Sequence, residues 1–354
     1  MGAVPGFSFA GSFAMASGCG LIVSALATWI ALVYARRHGL LDQPGKRRSH
    51  SSPTPRGGGV GIVASMLLVA LPAWGLLDDG GRWTQPVALA AAVLAVALVG
   101  WRDDHAALPV APRLLVHAAA AVLVAAVVLA QPAGHDPRLW WLLLPVAPVL
   151  VGCINVHNFM DGIDGLLGQQ GLFVMLGYAL LATWAGHMGI AGLGFAVAAG
   201  CLGFLAFNAP PAKIFMGDVG SGALGLLIGA VGALLVQRNP AMLWPCLILS
   251  STFLADGGLT LARRVVGRQR WYAPHRQHLY QWLVRVKWSH ARTDVAYMTW
   301  NLAIVAPLAW IAARWPAYGV WGAVAAYLAT GMVWYIGKRA CLSSVQRSAS
   351  REVA

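Results

Sequence analysis

Charged side chains are scarce in this sequence. Only 10% of its 354 residues are Asp, Glu, Lys or Arg, and 58% are hydrophobic, whereas soluble globular domains contain about a quarter charged residues. This shortage excludes a water-soluble fold. Glutamate is almost missing too, because eleven of the twelve acidic residues are aspartate. The five cysteines lack the spacing of a disulfide framework or a zinc site, so we interpret them as small apolar residues.

Long charge-free runs fill most of the chain, and a membrane-spanning helix needs about 20 apolar residues. The runs are 1–35, 57–77, 83–101, 114–135, 139–160, 165–212, 219–237, 239–255, 295–313 and 315–337. The run 165–212 is long enough for two crossings and is interrupted at 186–189. We therefore predict an all-α polytopic membrane protein with about eleven transmembrane helices. We expect one transmembrane catalytic domain, 1–337, and a basic cytoplasmic tail, 338–354.

The distribution of Lys and Arg predicts the orientation, because these residues are retained on the cytoplasmic side. With the N-terminus outside and the C-terminus in the cytoplasm, 21 of the 25 basic residues lie in cytoplasmic segments. Eight acidic residues lie on the same side: Asp42, Asp103, Asp104, Asp161, Asp164, Asp218, Asp256 and Asp294. Acidic groups close to the bilayer are costly and usually functional. The sequence thus predicts an acidic active site on the cytoplasmic face, within a basic rim.

Two of the cytoplasmic loops combine acidic and basic residues. The first, 41–59, is rich in Pro and Gly and ends in Arg56-Gly57-Gly58-Gly59; a plain flexible linker is the alternative interpretation. The second contains Asp103-Asp104, with Arg113 opening the next helix. Adjacent carboxylates repel each other when both are ionised. This repulsion raises the pKa of one of them into a range that suits a general base, unless a bound cation keeps both carboxylates ionised.

A third loop carries polar residues at every third position, from Asn155 through Asn158 and Asp161 to Asp164. On an uninterrupted helix these side chains would spread over half the circumference. Gly162 and Gly165 indicate that the segment unwinds. Amide and carboxylate groups could then converge on one ligand.

The fourth loop runs from Asn208 to Gly222, with Lys213 and Asp218 between them. Pro210-Pro211 ends one helix, and the Gly-Asp-x-Gly-Ser turn begins the next, so that a carboxylate and backbone N–H groups lie at a helix N-terminus. This arrangement suits a metal-bound diphosphate, with Lys213 as a counter-charge. A simple N-cap role for Asp218 is the alternative.

In combination, these motifs resemble those of the polyprenyl-phosphate N-acetylhexosamine-1-phosphate transferases. The matching elements are Asp103-Asp104, Asn155-x-x-Asn158-x-x-Asp161-Gly162-x-Asp164-Gly165-Leu166, and Asn208 with Phe215-Met216-Gly217-Asp218-x-Gly220-Ser221. The resemblance covers residues 40 to 285. It implies transfer of a sugar-1-phosphate from a UDP-sugar to undecaprenyl phosphate, with release of UMP.

The resemblance also implies roles for single residues. Asp218 would bind Mg²⁺, with Mn²⁺ as the alternative metal, and Asp103, Asp104 and Asp161 would be the catalytic carboxylates, Asp103 as the base. The implied substrate-binding residues are Arg56, Arg113, Asn155, Asn158, Asp164, Asn208, Lys213, His275, Arg276 and His278. Whether the lipid phosphate attacks directly or a phospho-enzyme forms is left open.

The last long loop, with His275-Arg276-Gln277-His278, is similar to the branch that initiates O-antigen and other surface polysaccharides. It therefore favours N-acetylglucosamine, N-acetylfucosamine or N-acetylquinovosamine over a muramyl-pentapeptide. The expected partners are the UDP-N-acetylhexosamine, undecaprenyl phosphate and membrane lipid, without nucleic acid, and a homodimer is left open. The expected location is the bacterial inner membrane, as a multi-pass protein. An ion-coupled transporter is the alternative function, since broken helices and intramembrane acids also mark that class.

Overall fold

The computed structural model describes residues 9–43, 53–78, 83–130, 141–269 and 275–353. Nearly all of the described chain is helical. The helices of the first half are α1 Phe9–Arg37, α2 Val60–Ser65, α3 Leu71–Leu77, α4 Thr84–His105, α5 Val110–Leu129, α6 Leu143–Met160, α7 Leu166–Trp184 and α8 Met188–Asn208. Those of the second half are α9 Asp218–Arg238, α10 Leu243–Leu249, α11 Ser251–Val266, α12 Leu279–Arg285, α13 His290–Trp300, α14 Ala306–Arg314 and α15 Gly319–Val353.

Short irregular turns join some of these helices into longer spans. π-helical turns at Met66–Ala70 and Asn301–Val305 connect α2 with α3 and α13 with α14. Ten helices or joined helices of the described chain are long and apolar enough to cross a membrane. A bent pair, Pro240–Leu249 with Ser251–Val266, gives an eleventh crossing if it is counted as one span. The fold confirms the predicted all-α polytopic architecture, whereas the side on which each terminus lies stays a prediction.

The bent pair differs from its expected form. The charge-free run 239–255 predicts one straight crossing, but the helix turns by 71° at Ser250 and then continues to Val266. The second half of the bent pair, α11, is amphipathic. Asp256 on this helix is buried among protein groups, whereas Arg263 lies near its exposed end. The Leu279 N–H, the Tyr297 hydroxyl and the Trp334 indole donate to the Asp256 carboxylate and replace the water that a buried carboxylate lacks.

One end of the bundle collects the polar loops. The chain passes from α4 to α5, from α6 to α7 and from α8 to α9 through residues 106–109, 161–165 and 209–217. Each of these connections leaves and re-enters the bundle at the same end. Asp104 and Val219, which are 115 positions apart in sequence, therefore lie within hydrogen-bond distance of each other.

A short antiparallel ladder brings the first loop to the same place. Leu41–Asp42 (β1) pairs with Thr54–Pro55 (β2), and Phe215 donates its backbone N–H to the Pro55 carbonyl at 2.8 Å. Gly58 in turn donates to the Phe215 carbonyl at 2.9 Å. Arg56 is thereby placed beside the loop that precedes α9. Residues 44–52 of the predicted basic loop lie outside the described residues.

Helix α9 occupies the centre of the bundle and is enclosed by protein along most of its length. Small residues allow this close packing. A Cβ atom on Gly220 would lie 2.5 Å from the Gly59 Cα, and one on Gly225 would lie 2.7 Å from the Cys153 carbonyl oxygen on α6. Where no hydrophobic effect drives helices together, such close backbone approach is a main source of helix association.

The last helix, α15, is continuous from Gly319 to Val353 and thus runs through the predicted boundary between domain and tail at 337/338. Lys338, the first residue assigned to the tail, is only 3% exposed. The start of the tail is therefore packed against the rest of the protein.

We expect Gly225→Ala to lower the thermal unfolding midpoint in detergent by several degrees, because overpacking a tight helix contact costs about 1–3 kcal/mol. Gly152→Ala on α6 is the matched control, since a Cβ atom there meets nothing within 4 Å. That variant should unfold at or slightly above the wild-type temperature, given the higher helix propensity of alanine. Equal midpoints for the two variants would contradict the packing assigned to α9.

Candidate active site

Asp218, the first residue of α9, joins three elements through its carboxylate. Its Oδ2 atom accepts from Arg113 of α5 at 3.0 Å, and its Oδ1 atom accepts from the Asn158 amide of α6 at 3.0 Å. Arg113 also donates to the Asp103 carboxylate at 2.8 Å. One guanidinium group thus bridges two carboxylates, while 30% of the Asp218 side chain stays exposed.

Asp104 supports the beginning of α9. Its two carboxylate oxygens accept from the backbone N–H groups of Asp218 at 3.1 Å and Val219 at 3.2 Å. These N–H groups have no partner within their own helix, and a negative charge at this position is favoured by the helix dipole. Arg56 donates to the Asp104 carbonyl oxygen, and its side chain lies 3.9 Å from the Asp104 carboxylate. Asp104 is 3% exposed and acts as a cap delivered from another helix.

Asn158 links the third motif to the fourth. Its amide donates to Asp218 and, at 2.9 Å, to the Ser221 hydroxyl one turn further along α9. Helix α6 ends two residues later at Met160, as the glycines of the motif predict. Gly165 has a φ of +78° and begins the approach to α7. The segment 161–165 is therefore an unwound loop between two helices.

The unwound loop presents Asp161 and Asp164. Desolvation of the Asp161 carboxyl group, reinforced by the negative charges of Asp218 and Asp104, raises its pKa well above the usual value for an aspartate. Asp164 accepts from the Ala212 backbone N–H at 3.0 Å and lies 3.1 Å from the His290 ring nitrogen. Asp161 therefore faces the acidic cluster, whereas Asp164 ties the loop to two other segments.

Asn208, the last residue of α8, fixes two loops. Its side-chain oxygen accepts from the Gly165 N–H at 3.0 Å, and its amide nitrogen donates to the Ile214 carbonyl at 2.9 Å. Both ends of the side chain are thus engaged, and it is 4% exposed. Its observed contacts position the loops that surround the cluster.

An open cavity of about 260 Å³ lies over these groups. Its walls include six predicted site residues: Arg56, Asp104, Asp161, Asp164, Asn208 and Asp218. Asp103, Arg113 and Asn158 join them through the contacts given above. Nine of the fourteen predicted residues are therefore brought together.

Carboxylates outnumber guanidinium groups within this cluster. Asp103, Asp104, Asp161 and Asp218 face the two cations Arg56 and Arg113, so the ionised cluster has an excess of two negative charges. Among the described residues, no three His, Cys, Asp or Glu side chains are arranged closely enough to hold a metal ion by themselves. The donor set fits a hard divalent cation that binds one or two carboxylates and takes its other ligands from phosphate and water.

The other five predicted residues lie away from the cavity. Asn155 donates to the Val151 carbonyl of its own helix at 2.8 Å, and Lys213 is exposed, 6.0 Å from the Phe207 ring. His275 and Arg276 line a separate cavity. His278 is 2% exposed, and its ring nitrogen lies 3.5 Å from the Asp256 carboxylate. The motifs and the resemblance imply these side chains at the site, but helix rotation and loop direction place them outside the walls of this cavity.

The structure adds residues that the motifs do not reveal. Asp42, Phe215, Gln281 and His290 also line the acidic cavity. Asp164 and His290 are 126 positions apart, and a lone histidine at the start of a helix carries no sequence signal for such a contact. Asp42 is the second residue of β1 and belongs to a loop that the sequence does single out.

Comparison with known proteins places this arrangement in a family. The model of Glycosyl transferase family 4 matches residues 86–236, which run from the first turn of α4 to the last turn of α9. A probable undecaprenyl-phosphate N-acetylglucosaminyl 1-phosphate transferase of Bacillus subtilis is 28% identical over 76% of this chain and 75% of its own length.

Two further relatives are more alike in sequence. A phospho-N-acetylmuramoyl-pentapeptide-transferase of Synechococcus sp. is 36% identical over 67% of this chain and 69% of its own. A decaprenyl-phosphate N-acetylglucosaminephosphotransferase of Mycolicibacterium smegmatis is 30% identical over 79% and 77%. The chain therefore belongs to glycosyltransferase family 4, in the group of the polyprenyl-phosphate N-acetylhexosamine-1-phosphate transferases.

Proposed function

We propose that this protein transfers N-acetylhexosamine-1-phosphate from a UDP-sugar to undecaprenyl phosphate and releases UMP. The observation that carries the proposal is the acidic cluster at one end of a membrane-spanning bundle, where Arg113 bridges Asp103 and Asp218. The reaction joins a water-soluble diphosphate to a lipid phosphate. A site with carboxylates, guanidinium groups and a membrane-embedded wall suits both substrates.

The bonds of the proposed transfer balance without a further reactant. An oxygen of the lipid phosphate forms a bond to the β-phosphorus of the UDP-sugar. The bond from that phosphorus to the bridging oxygen breaks, and UMP leaves with the electron pair. The product is a lipid-linked diphosphate that carries the sugar.

A divalent cation belongs to this proposal, with Mg²⁺ preferred and Mn²⁺ as the alternative. Asp218 and Asp161 would hold it together with the donor diphosphate, because a cation between them would relieve the repulsion from neighbouring carboxylates that contributes to the raised pKa of Asp161 and would let it ionise. When bound, the cation neutralises charge on the diphosphate and stabilises the leaving group. Asp104 is already engaged by two backbone N–H groups and serves to hold the start of α9 in place.

The chain's own residues orient the acceptor in this proposal. Arg113 would bind the lipid phosphate beside Asp103, and Arg56, which lines the cavity, would bind phosphate oxygens there. Asp103 already accepts from Arg113 and from the Leu108 N–H at 2.6 Å. A carboxylate stabilised in this way is a poor nucleophile, which favours direct attack by the lipid phosphate over a phospho-enzyme.

The sugar and the pathway belong to the same proposal. We infer an N-acetylhexosamine donor, either N-acetylglucosamine, N-acetylfucosamine or N-acetylquinovosamine. The product would initiate O-antigen or another surface polysaccharide at the bacterial inner membrane. The Bacillus and Mycolicibacterium relatives carry names for N-acetylglucosaminyl transfer, and the Synechococcus relative is named for the muramoyl-pentapeptide.

Purified protein with undecaprenyl phosphate, Mg²⁺ and a panel of UDP-sugars tests the proposal through UMP release. UDP-N-acetylmuramoyl-pentapeptide belongs in the panel as the competing donor. Turnover with an N-acetylhexosamine donor and none with the muramoyl-pentapeptide supports the proposal. The reverse preference would overturn its sugar assignment, and no UMP release from any donor would overturn the reaction.

We expect Asp218→Asn to reduce transfer by about a hundredfold or more without unfolding the protein, because it removes a carboxylate at the centre of the cluster while keeping its size. Asp78→Asn is the matched control. Asp78 is also paired with an arginine, Arg238 at 3.3 Å, but lies at the opposite end of the bundle. Near-wild-type transfer by Asp218→Asn at millimolar Mg²⁺ would refute the role of Asp218.

Asp103→Asn separates the two mechanisms. If Asp103 only accepts a proton, the variant should lose activity steeply at low pH and recover partly at high pH, where the lipid phosphate ionises by itself. A covalent nucleophile would instead give complete loss at every pH, because an amide cannot form the phospho-enzyme. Wild-type protein incubated with the UDP-sugar alone should release no stoichiometric UMP; such release would contradict direct attack.

The raised pKa of Asp161 predicts a pH-dependent stability. The folded state holds a proton on Asp161 that the unfolded chain loses at lower pH, so stability falls as the pH rises toward the folded-state pKa. In EDTA, we expect the unfolding temperature to fall from pH 5 to pH 8, and Mg²⁺ with UMP should reverse part of that fall. Asp161→Asn should weaken both effects. An Asn variant with the wild-type pH profile would exclude Asp161 as the source.

A further inference from the structure

The hydroxyl group of Tyr280, on α12, contacts the backbone on both sides of Asp161. It donates to the Phe159 carbonyl at 2.9 Å, and a Cβ atom on Gly162 would overlap with the same hydroxyl oxygen. The Tyr280 side chain is fully buried. The segment that carries Asp161 is therefore in contact with one buried side chain both before and after this residue.

The Phe159 carbonyl belongs to the last turn of α6, which ends at Met160. The carbonyl groups of a last helical turn have no partner within their own helix. Tyr280 supplies a partner for one of them from a segment 121 positions further along the chain. This hydrogen bond thus satisfies the end of α6 at the point where the unwound loop begins.

Gln281 fixes the direction of the Tyr280 hydroxyl. Its amide nitrogen donates to the hydroxyl oxygen at 3.1 Å, and its side-chain oxygen accepts from the His278 N–H at 3.2 Å. An amide nitrogen can only donate, so the hydroxyl hydrogen is left for the Phe159 carbonyl. The Tyr280 hydroxyl is therefore held in a defined place with a defined donor direction.

Asp256 on α11 anchors the start of α12. Both of its carboxylate oxygens accept from the N–H of Leu279, at 3.1 and 3.2 Å, and this residue directly precedes Tyr280. The Tyr297 hydroxyl of α13 and the Trp334 indole of α15 donate to the same carboxylate at 2.9 and 3.1 Å. Helix α12 has only seven residues, and helices of that length are not stable by themselves. Three longer helices thus fix the position from which Tyr280 reaches the loop.

The other end of the unwound loop has separate supports. Asp164 accepts from the Ala212 N–H at 3.0 Å, and the Gly165 N–H donates to the Asn208 side chain at 3.0 Å. Tyr280 contacts the chain at 159 and 162 instead. The two sets of contacts hold different halves of the loop, and Tyr280 acts on the half that carries Asp161.

We propose that Tyr280 is a positioning residue for Asp161, with Asp256 as its anchor. By fixing the backbone before and after Asp161, the Tyr280 hydroxyl keeps that carboxylate directed toward Asp218. The inference rests on the proposed function, in which both carboxylates hold a divalent cation together with the donor diphosphate. Tyr280 is not among the described residues that line the acidic cavity, so it acts through the loop.

Tyr280→Phe tests the proposal because it removes only the hydroxyl group. In the purified, metal-free protein, hydrogen–deuterium exchange should become at least about fivefold faster in a peptide that covers 159–165 and stay unchanged in one that covers 106–109. Tyr327→Phe is the matched control. Tyr327 also donates to a backbone carbonyl, that of Leu247 at 3.2 Å, but it joins α15 to α10. This control should exchange like the wild type in both peptides.

Cation binding provides a readout that a general loss of stability would not change. Mn²⁺, titrated with UMP present and followed by electron paramagnetic resonance, should bind Tyr280→Phe at least about fivefold more weakly than the wild type, because a displacement of about 1 Å is enough to impair a binding group. Tyr327→Phe should bind Mn²⁺ like the wild type. In transfer assays, the Mg²⁺ concentration for half-maximal rate should rise for Tyr280→Phe alone. A wild-type Mn²⁺ affinity in Tyr280→Phe would overturn the positioning role, whatever its exchange rate.

Gly162→Ala tests the same contact from the side of the loop. Its methyl group would overlap with the Tyr280 hydroxyl and displace the segment, so Mn²⁺ binding should weaken in an otherwise wild-type chain. In the Tyr280→Phe background, the same substitution should cost at least about threefold less, since both changes act on one contact. Fully additive losses would show that the two residues act independently and would contradict the proposal.

Failure of this proposal and failure of the proposed function give different results. A wild-type protein that binds Mn²⁺ with UMP but releases no UMP from any UDP-sugar would overturn the transfer reaction, while the variants would still decide the role of Tyr280. An active wild-type enzyme whose Tyr280→Phe variant keeps its Mn²⁺ affinity would overturn the role of Tyr280 and leave the reaction in place.

Discussion

The hydrogen bonds from the first two backbone N–H groups of α9 to the Asp104 carboxylate govern the geometry of the acidic cavity. They join the end of α4 to the start of the most enclosed helix in the bundle. Asp218 is the first residue of that helix, so the direction of its side chain depends on how the helix begins. The position of the Asp218 carboxylate is thereby fixed. Arg113 and Asn158 contact this carboxylate, and Arg113 also contacts Asp103.

This dependence gives the paired aspartates of the second loop different tasks. The Asp104 carboxylate is buried, and both of its oxygens accept hydrogen bonds from backbone N–H groups. Asp103 contacts Arg113 and remains partly exposed. The repulsion expected between adjacent carboxylates is relieved on both sides, by N–H groups in one case and by a guanidinium group in the other. The pair is therefore one structural residue next to one residue available to a substrate.

Much of the fold follows from the sequence, because membrane helices must be apolar for about 20 residues and their ends must be polar. The loops that carry Asp103, Asn158 and Asp218 are predicted at one end of the bundle, and the structure brings them together. Contacts between distant segments, such as Asp164 with His290, are not encoded by any local pattern. The bend at Ser250 is missed because the charge-free run continues through it.

The positions of Asn155 and Lys213 show a different limit. Both belong to segments with a specific motif, but spacing along a chain does not determine the rotation of a side chain about its helix or the course of a loop. Asn155 uses its amide within α6, and Lys213 is exposed. Similarly, His275 and Arg276 line a cavity away from the acidic cluster, whereas His278, two residues further on, is buried against the Asp256 carboxylate.

Because α9 is enclosed by protein, the geometry of the acidic cavity does not follow changes in the thickness of the bilayer. Helices at the periphery, such as α1 and α15, expose most of their surface, and they can tilt when the hydrocarbon layer becomes thicker or thinner. Helix α9 is surrounded by protein and has little surface on which lipid can act. Its tight glycine contacts with Gly59, just before α2, and with α6 keep the spacing of Asp218 from its partners independent of membrane thickness.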